Sequence, residues 1–185
     1  MAEIRLKNVR LAFPSIFEPK AFDEKSKAKY QATFLVPKNS PLVAEIEKAI
    51  RAAAVAKWGP KADAILASIR GNNQKYCFLD GDVKSDYDGF EGNWYVNAKS
   101  LQRPFVCDLD KTPLTQEDGK PYGGCYVVAK VEIYAQDTKN GKGIRADLKG
   151  VQFYRDGDAF AGGVPATADD FDDLSNTGEE EEALA

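Results

Sequence analysis

The side chains best suited to hold a charged ligand lie on two segments in which polar and apolar residues alternate. These segments are 93–99 (NWYVNAK) and 125–136 (CYVVAKVEIYAQ). A period of two predicts β-strands, and it places on one face of each strand Tyr95, Asn97 and Lys99, and Tyr126, Lys130 and Tyr134. A single nucleic-acid strand is held by cations along its phosphates and by aromatic rings stacked on its bases, at roughly 1–3 kcal/mol per stacked base. Both faces therefore favour binding of single-stranded nucleic acid.

Neighbouring segments supply further candidates for the same surface. The cations are Lys7, Arg10, Lys27, Lys29 and Arg103, and the aromatic residues are Trp94 and Tyr122. Trp94 has two interpretations, because its strand phase places it in the core whereas its position beside a Gly-rich loop would allow stacking. An ordinary solvated sheet face also carries Tyr and Lys, so the pattern alone leaves a surface without a ligand open.

The composition excludes several kinds of catalytic site. The chain contains no histidine, which removes the Ser-His-Asp and Cys-His nucleophile systems and the commonest zinc ligand. Its three cysteines are widely spaced and include no CxxC pair, so neither a disulfide framework nor a zinc site is indicated. The motifs of phosphate-binding loops are also absent. We expect no cofactor, no resident metal and no enzymatic activity.

One acidic cluster leaves an enzymatic alternative open. Carboxylates crowd the segment 80–91, at Asp80, Asp82, Asp86, Asp88 and Glu91. Clustered carboxylates bind divalent cations, and a two-metal site cleaves phosphodiesters. A calcium loop would require an oxygen ligand at the position of Lys84, so a solvated loop is the favoured interpretation. A metal-dependent nuclease, or a structural or assembly protein with an acidic interaction tail, remains the alternative.

Charge divides the chain at Arg155, its last basic residue. Residues 1–155 carry 25 − 19 = +6, and residues 156–185 carry ten acids without a base, or −10. This asymmetry is typical of proteins with a charged partner such as nucleic acid, although a solubilising tail would look the same. With little apolar surface to bury, residues 156–185 are predicted to be a disordered tail on a domain spanning 1–155. Its acidic run could dock on a protein partner through Asp169, Asp170, Phe171, Asp172, Asp173 and Leu174.

The elements that position these residues are mostly strands. The pattern predicts a strand over 3–13 that slips at Asn8 and stops at Pro14, and strands over 29–37, 75–79, 93–99 and 105–108. A hairpin over 125–136 and 144–154 is predicted around Asn140-Gly141. Ser40 and Pro41 begin a helix that ends at Trp58, and a second helix follows over 61–70. We expect an α+β domain or small barrel, and an intracellular protein, since no signal peptide or membrane helix is evident.

Several segments resemble a family of phage-encoded single-stranded DNA-binding proteins with an OB fold. They are NVRLAFPSIFEPKAF with KYQATFLVPK, SLQRPFVCD, KGVQFYRDGDAFAGG and ADDFDDL. The resemblance implies a mainly β fold with α additions, a five-stranded OB-type barrel elaborated by one or two helices. It also implies sequence-tolerant binding of single-stranded DNA in replication or recombination, in the cytoplasm of the infected bacterium.

Two features depart from the pattern of such proteins. The main helix follows the second strand, whereas the usual OB barrel has its helix between the third and fourth strands. The tail ends in Ala-Leu-Ala, without the terminal aromatic residue of some acidic-tailed relatives. The resemblance implies that the acidic tail contacts replication proteins, but the different ending separates this tail from those relatives.

Overall fold

The computed structural model describes residues 2–21, 23–160, 171–172 and 174–175. Seven strands form one sheet with the order β3-β4-β2-β1-β6-β7-β5. The strands are β1 (Ala2–Lys20), β2 (Lys29–Pro37), β3 (Phe78–Asp80), β4 (Asn93–Ser100), β5 (Phe105–Cys107), β6 (Tyr126–Thr138) and β7 (Gly141–Arg155). Two helices, α1 (Leu42–Trp58) and α2 (Ala62–Ile69), lie between β2 and β3 in the chain. No helix in this described part is long and apolar enough to cross a membrane.

Five of the strands close into a barrel. β1 pairs with β2 and β6, β2 pairs with β4, and β6 pairs with β7. The parallel pairing of β4 with β7, at Ala98↔Ala146, closes the ring. The short strands β3 and β5 extend the edges of β4 and β7. The predicted mainly β barrel is confirmed, and the unusual position of the helices is an insertion between its second and third strands.

The first strand is longer than the sequence predicts. The slip at Asn8 is confirmed, since the register shifts between Leu6 and Val9 and Asn8 has a φ of 56°. The sequence predicts that the strand stops at Pro14, but the strand continues past this residue to Lys20. A second bulge between Ala12 and Ser15 takes Pro14 out of the ladder, and a bulge is one of the few places where a strand tolerates proline.

The first helix ends where the sequence predicts but begins one residue later, with Pro41 at the cap position predicted for Ser40. The Ser40 Oγ accepts a hydrogen bond from the Leu42 N–H at 3.1 Å, and the helix stops at Gly59, which has a φ of 58°. On its apolar side, Ile46, Ile50, Ala53 and Ala54 are buried in the core. α1 packs mainly against β6 and β1, with further contacts to β2 and β7.

The alternation on β6 determines which side chains face solvent. Val127, Ala129, Val131 and Ile133 are buried in the barrel. The residues between them consequently point outward. The hairpin to β7 turns through Lys139–Asn140, because Thr138 pairs with Gly141. Gly150 lies at a register shift in β7, as its position in the sequence predicts.

The packed structure continues beyond the predicted boundary at Arg155. Residues 156–160, called here the C-terminal strap, lie against the barrel. The Arg10 guanidinium donates to the Asp158 carbonyl at 2.8 Å, and the Phe160 N–H donates to the Gly123 carbonyl at 2.9 Å. In the predicted docking run, Phe171, Asp172 and Leu174 are exposed. Its other members, Asp169, Asp170 and Asp173, lie outside the described residues, as does most of the predicted tail.

Candidate nucleic-acid interface

A groove of about 880 Å³ crosses the outer surface of the barrel from β2 over β4 to β7 and β6. Its lining comes from all four of these barrel strands, from the residues just after β4, and from the segment before β3 that contains Asn73 and Tyr76. The residues used below are Lys29, Asn97, Lys99, Leu101, Gln102, Glu132, Tyr134, Gln136, Arg145, Asp147 and Lys149. This set is called the β2–β4 groove. It combines cations, amides and a tyrosine, which are the side chains that hold phosphates and bases.

Strand register brings the groove residues together. Lys99 pairs with Gln31 on β2 and with Asp147 on β7, so β4 runs along the groove floor between the other strands. Asn97 is fixed by the Thr33 hydroxyl, which donates to its Oδ1 at 2.8 Å. On the hairpin, the Arg145 Nε donates to the Gln136 Oε1 at 3.2 Å. The amides are thus held in place before any ligand binds.

The positive charge of the groove is concentrated and partly desolvated. Burial lowers the pKa of Lys99, and the nearby charges of Lys29 and Arg145 lower it further. None of these three cations forms an ion pair with another described residue. An anion placed among them would favour the charged form of Lys99, so the arrangement is suited to phosphate.

The fourth cation of the groove is already neutralised. The Lys149 ammonium lies 2.8 Å from the Asp147 carboxylate and 3.6 Å from that of Glu132. The hydrogen bond with Asp147 raises the pKa of Lys149. The groove therefore has a positive end at Lys29, Lys99 and Arg145 and a balanced end at Lys149.

Tyr134 is the aromatic residue of the groove that is open to a ligand. It is partly exposed on β6, directly opposite Arg145 on β7. Burial and the Asp147 carboxylate raise the pKa of Tyr134, so it stays neutral. Leu101, at the rim, is 60% exposed. These two side chains give the groove apolar surface on which bases can stack.

The structure brings together only part of the predicted site. Lys29 and Lys99 share the groove, and Lys27 and Arg103 are exposed in the connections that lead into β2 and out of β4. The sequence patterns missed Arg145 and Gln136 as site residues. Their signal was the outward phase of the predicted hairpin, in which Arg145, Asp147 and Lys149 alternate with buried residues.

Tyr95 is the clearest correction, because it was expected to stack on bases. Its side chain is only 1% exposed. The segment 81–92 folds over this end of β4, and the Phe90 ring lies edge-on to Tyr95 at 5.2 Å between centroids. The Lys84 ammonium lies 5.3 Å from the Tyr95 ring centroid. Trp94 stacks on Phe78 at 5.0 Å, which agrees with the core interpretation of that residue rather than with stacking on a base.

Three other predicted residues hold the C-terminal strap. The Tyr122 hydroxyl donates to the Asp156 carboxylate at 2.7 Å. Arg10 donates to the Gly124 and Asp158 carbonyls, as well as lying over the Phe160 ring at 4.4 Å. The Tyr126 ring is covered by Arg155. These contacts give Tyr122, Arg10 and Tyr126 structural partners that the strand-face argument did not foresee.

The remaining predicted cations lie outside the groove, where β6 pairs with β1. Lys130 pairs with Arg5 across β1 and β6, and its ammonium lies 3.4 Å from the Glu3 carboxylate. Lys7 is exposed on β1 near this pair. Neither Lys7 nor Lys130 lines the β2–β4 groove.

The acidic loop has a structural explanation. The Lys38 ammonium contacts the Asp80 carboxylate at 2.9 Å and also that of Asp82, whose Oδ1 accepts the Gly92 N–H at 2.8 Å. Lys38 lowers the pKa of Asp80, and the Gly92 N–H is the main cause of the lowered pKa of Asp82. Among the described residues, no three acidic, histidine or cysteine side chains are placed to hold a metal ion. Asp80 and Asp82 thus fasten the loop to the residue that follows β2.

The strand order and the position of the groove define the class of this protein. A five-stranded barrel with these pairings is an OB fold, and OB folds bind oligonucleotides and oligosaccharides across their second and third strands. The groove includes residues of both strands, Lys29 of β2 and Asn97 and Lys99 of β4, and it extends from them over β7 and β6. The chain belongs to the family of the single-stranded DNA-binding protein of Enterobacter phage Enc34, whose family model matches residues 2–184.

Individual relatives agree with this family. The putative protein p50 of Acyrthosiphon pisum secondary endosymbiont phage 1 is 50% identical over 185 residues, covering 99% of each chain. The Enc34 protein in complex with single-stranded DNA matches with a TM-score of 0.73 and 25% identity, over 85% of this chain and 88% of that one. The fold is also similar to gp2.5, a single-stranded DNA-binding protein of bacteriophage T7, with a TM-score of 0.56 and 15% identity over 91% and 93% of the two chains.

Proposed function

We propose that this protein binds single-stranded DNA in the β2–β4 groove with little sequence preference. It would protect and organise the strand during phage DNA replication or recombination, in the cytoplasm of the infected bacterium. The observation that carries the proposal is the convergence of Lys29, Lys99 and Arg145 around Tyr134 on the ligand face of an OB barrel. The Enc34 relative, which was solved with single-stranded DNA, supports it.

The groove chemistry explains tolerance of sequence. Lys29, Lys99 and Arg145 contact phosphates, which are the same at every nucleotide. Tyr134 offers a ring on which any base can stack. The amides of Asn97 and Gln136 have both donors and acceptors, so they can bond to base edges without selecting one base.

The loops that flank the groove contribute exposed cations, although Asp23 and Glu24 balance Lys25 and Lys27 in the first loop. In OB folds these are the connections between the first two and the last two barrel strands. Here the first carries Lys25 and Lys27, which are exposed, and the second is the hairpin with Lys139 and Lys142. Lys142 lies 3.7 Å from Asp137, so its charge is partly balanced within the hairpin. We therefore expect these loops to attract the DNA strand more than to hold it in one position.

The proposed activity is binding without catalysis. The acidic loop offers Lys38 and backbone partners to its carboxylates instead of an open metal site. A role for the acidic tail in contacting replication proteins belongs to the same proposal. It rests on the tail's charge and on the apolar residues Phe171 and Leu174, which are exposed.

Fluorescence anisotropy of labelled oligo-dT, with unlabelled duplex as a competitor, tests the proposal. Binding should weaken as salt rises, with a slope of about −0.7 in log K against log salt for each phosphate contact. Lys99→Gln and Arg145→Gln should each weaken binding and reduce that slope. Lys48→Gln is the matched control, because Lys48 is exposed on α1, outside the groove. Unchanged affinity in both groove variants, or a flat salt response, would rule out this groove as the binding site.

A further inference from the structure

A second basic surface lies beside the groove, on paired residues of β1, β6, β7 and β5. Arg5 on β1 pairs with Lys130 on β6, Lys130 pairs with Gly150 on β7, and Gly150 pairs with Phe105 on β5. Paired residues point to the same side of a sheet, so these four positions form one row across four strands. Arg5 and Lys130 are exposed, and the Phe105 side chain is 56% exposed.

This row is continuous with the groove along the chain. Leu101 lines the groove and is 60% exposed, and the connection from it leads through exposed Arg103 directly to Phe105. On β7, Lys149 lines the groove and the next residue, Gly150, belongs to the row. The balanced end of the groove thus opens onto an exposed aromatic ring flanked by cations.

Glycine keeps the row open at its centre. A Cβ at position 150 would meet the Phe105 carbonyl oxygen at 3.1 Å and the Phe105 Cβ at 3.9 Å. No side chain therefore stands between the Lys130 side chain and Phe105. Lys130 contacts Glu3 at 3.4 Å, with both side chains at least half exposed, and such surface pairs exchange readily for another anion.

We propose that single-stranded DNA longer than the groove leaves it over Leu101–Phe105 and continues onto this row. The flank surface consists of Arg5, Arg103, Phe105 and Lys130. A base stacks on Phe105, and the phosphates on either side contact Arg103 and Lys130, with Arg5 beyond. This inference rests on the proposed function of the groove. It predicts a DNA-binding site that is longer than the groove itself.

Two lengths of oligo-dT separate the flank surface from the groove. OB folds occupy about 4–16 nucleotides, so we choose one strand of about 6 nucleotides, near the lower limit of that range, and one of about 25 nucleotides, above its upper limit. Phe105→Ala should weaken binding of the long strand about fivefold or more, as expected for a lost stack, and leave the short strand unchanged. Lys130→Gln should make the salt slope of the long strand shallower by about 0.7.

Matched controls come from exposed residues that belong neither to the groove nor to the flank surface. Leu109→Ala removes a side chain that is 61% exposed just after β5, and Lys48→Gln removes an exposed cation on α1. Both should bind the two strands like the original protein. Thermal unfolding of each variant shows whether the fold is retained.

The possible outcomes distinguish this inference from the proposed function. Long-strand affinity that is unchanged in a folded Phe105→Ala protein overturns the flank surface and leaves the groove intact. Equal losses on both strands also overturn it, since Phe105 would then act through the groove. If the original protein binds neither strand at low salt, the proposed function itself fails.

Discussion

The Arg155 guanidinium carbon lies 3.6 Å from the centroid of the Tyr126 ring, and that of Arg10 lies 5.8 Å from the same centroid. A Cβ at Gly157 would approach the edge of this ring to 3.0 Å. Tyr126 is therefore enclosed by two cations and by the backbone of the C-terminal strap. The ring connects the end of β7 to the strap.

This enclosure predicts a role for Tyr126 in stability. Tyr126→Ala should lower the free energy of unfolding by about 1–3 kcal/mol, because it removes a partly buried ring and cation–π contacts. Tyr126→Phe keeps the ring and should unfold like the original protein in a denaturant titration. If Tyr126→Ala instead leaves stability unchanged and weakens binding of oligo-dT, Tyr126 stacks on bases as its strand phase suggested.

The packing of the strap depends on the close approach of two glycines, Gly157 in the strap and Gly124 in the loop before β6. A Cβ at Gly157 would lie 2.2 Å from the Gly124 carbonyl oxygen, whereas one at Gly123 would meet only the Pro14 ring at 3.7 Å and the Phe160 ring at 3.9 Å. Gly157→Ala should therefore detach the strap or destabilise it, and Gly123→Ala is the matched control. Limited proteolysis followed by mass spectrometry measures this as cleavage within 156–160. Equal protection of the two variants would contradict the packing described for the strap.

The fold was more predictable from the sequence than the site. Period-two alternation predicted β2 over 29–37 with the bounds that the structure gives, and Asn140-Gly141 predicted the hairpin. These features are local, since they depend on residues a few positions apart. Pro14 misled the prediction for β1 because its bulge depends on pairing with β2, which no local pattern records.

The site was harder because exposure depends on distant segments. Strand phase placed Tyr95 on the outward face correctly, but the segment 81–92 covers that face with Phe90. The same phase argument grouped Lys130 with Lys99, although Lys130 lies nearer the start of β6 than the residues that line the groove, between Arg5 and Gly150. Alternation gives the face of a strand, whereas the closure of the barrel decides which faces meet in one groove.

Lys99 should make binding sensitive to alkaline pH. Burial, followed by the charges of Lys29 and Arg145, lowers its pKa from the ordinary lysine value of 10.5. Lys99 is charged below this lowered pKa and loses its charge as the pH rises through it, while ordinary lysines are still protonated. Affinity for oligo-dT should therefore fall over that interval, because phosphate favours the charged form.

The substitution Lys99→Arg checks this cause. A guanidinium stays protonated throughout the interval, so the variant should lose less affinity between neutral pH and about pH 10 than the original protein does. Lys48→Arg is the control on α1 and should keep the original pH profile. An identical profile in Lys99→Arg would show that another group causes the pH dependence.

The acidic loop predicts no metal-dependent cleavage. Lys38 and the Gly92 N–H occupy the carboxylates of Asp80 and Asp82, and no three acidic, histidine or cysteine side chains of the described residues are placed to hold a metal ion. Incubating a single-stranded oligonucleotide with Mg²⁺ or Mn²⁺ should leave it intact on a denaturing gel, with the original protein and Asp82→Ala behaving alike. Cleavage by the original protein that Asp82→Ala abolishes would instead support the nuclease alternative.

The acidic tail should compete with DNA for the basic groove. A truncation that tests this competition has to leave the strap in place. Of the ten acids after Arg155, Asp156 and Asp158 belong to the strap, which leaves 10 − 2 = 8 in residues 161–185. A truncation after Arg155 would remove tail charge and also the contacts of Tyr122 and Arg10 with the strap, so its effect would have two causes. A truncation after Phe160 keeps those contacts.

A protein ending at Phe160 should bind oligo-dT several-fold more tightly than the full chain at low salt. The difference should shrink as salt rises, because screening weakens attraction between the tail and the groove. Neutralising the four acids at 179–182 to Gln in the full chain is the matched control for length, and it should recover part of the gain. Equal affinities of the full and truncated chains at low salt would show that the tail does not screen the groove, and would leave contact with a protein partner as the role to test.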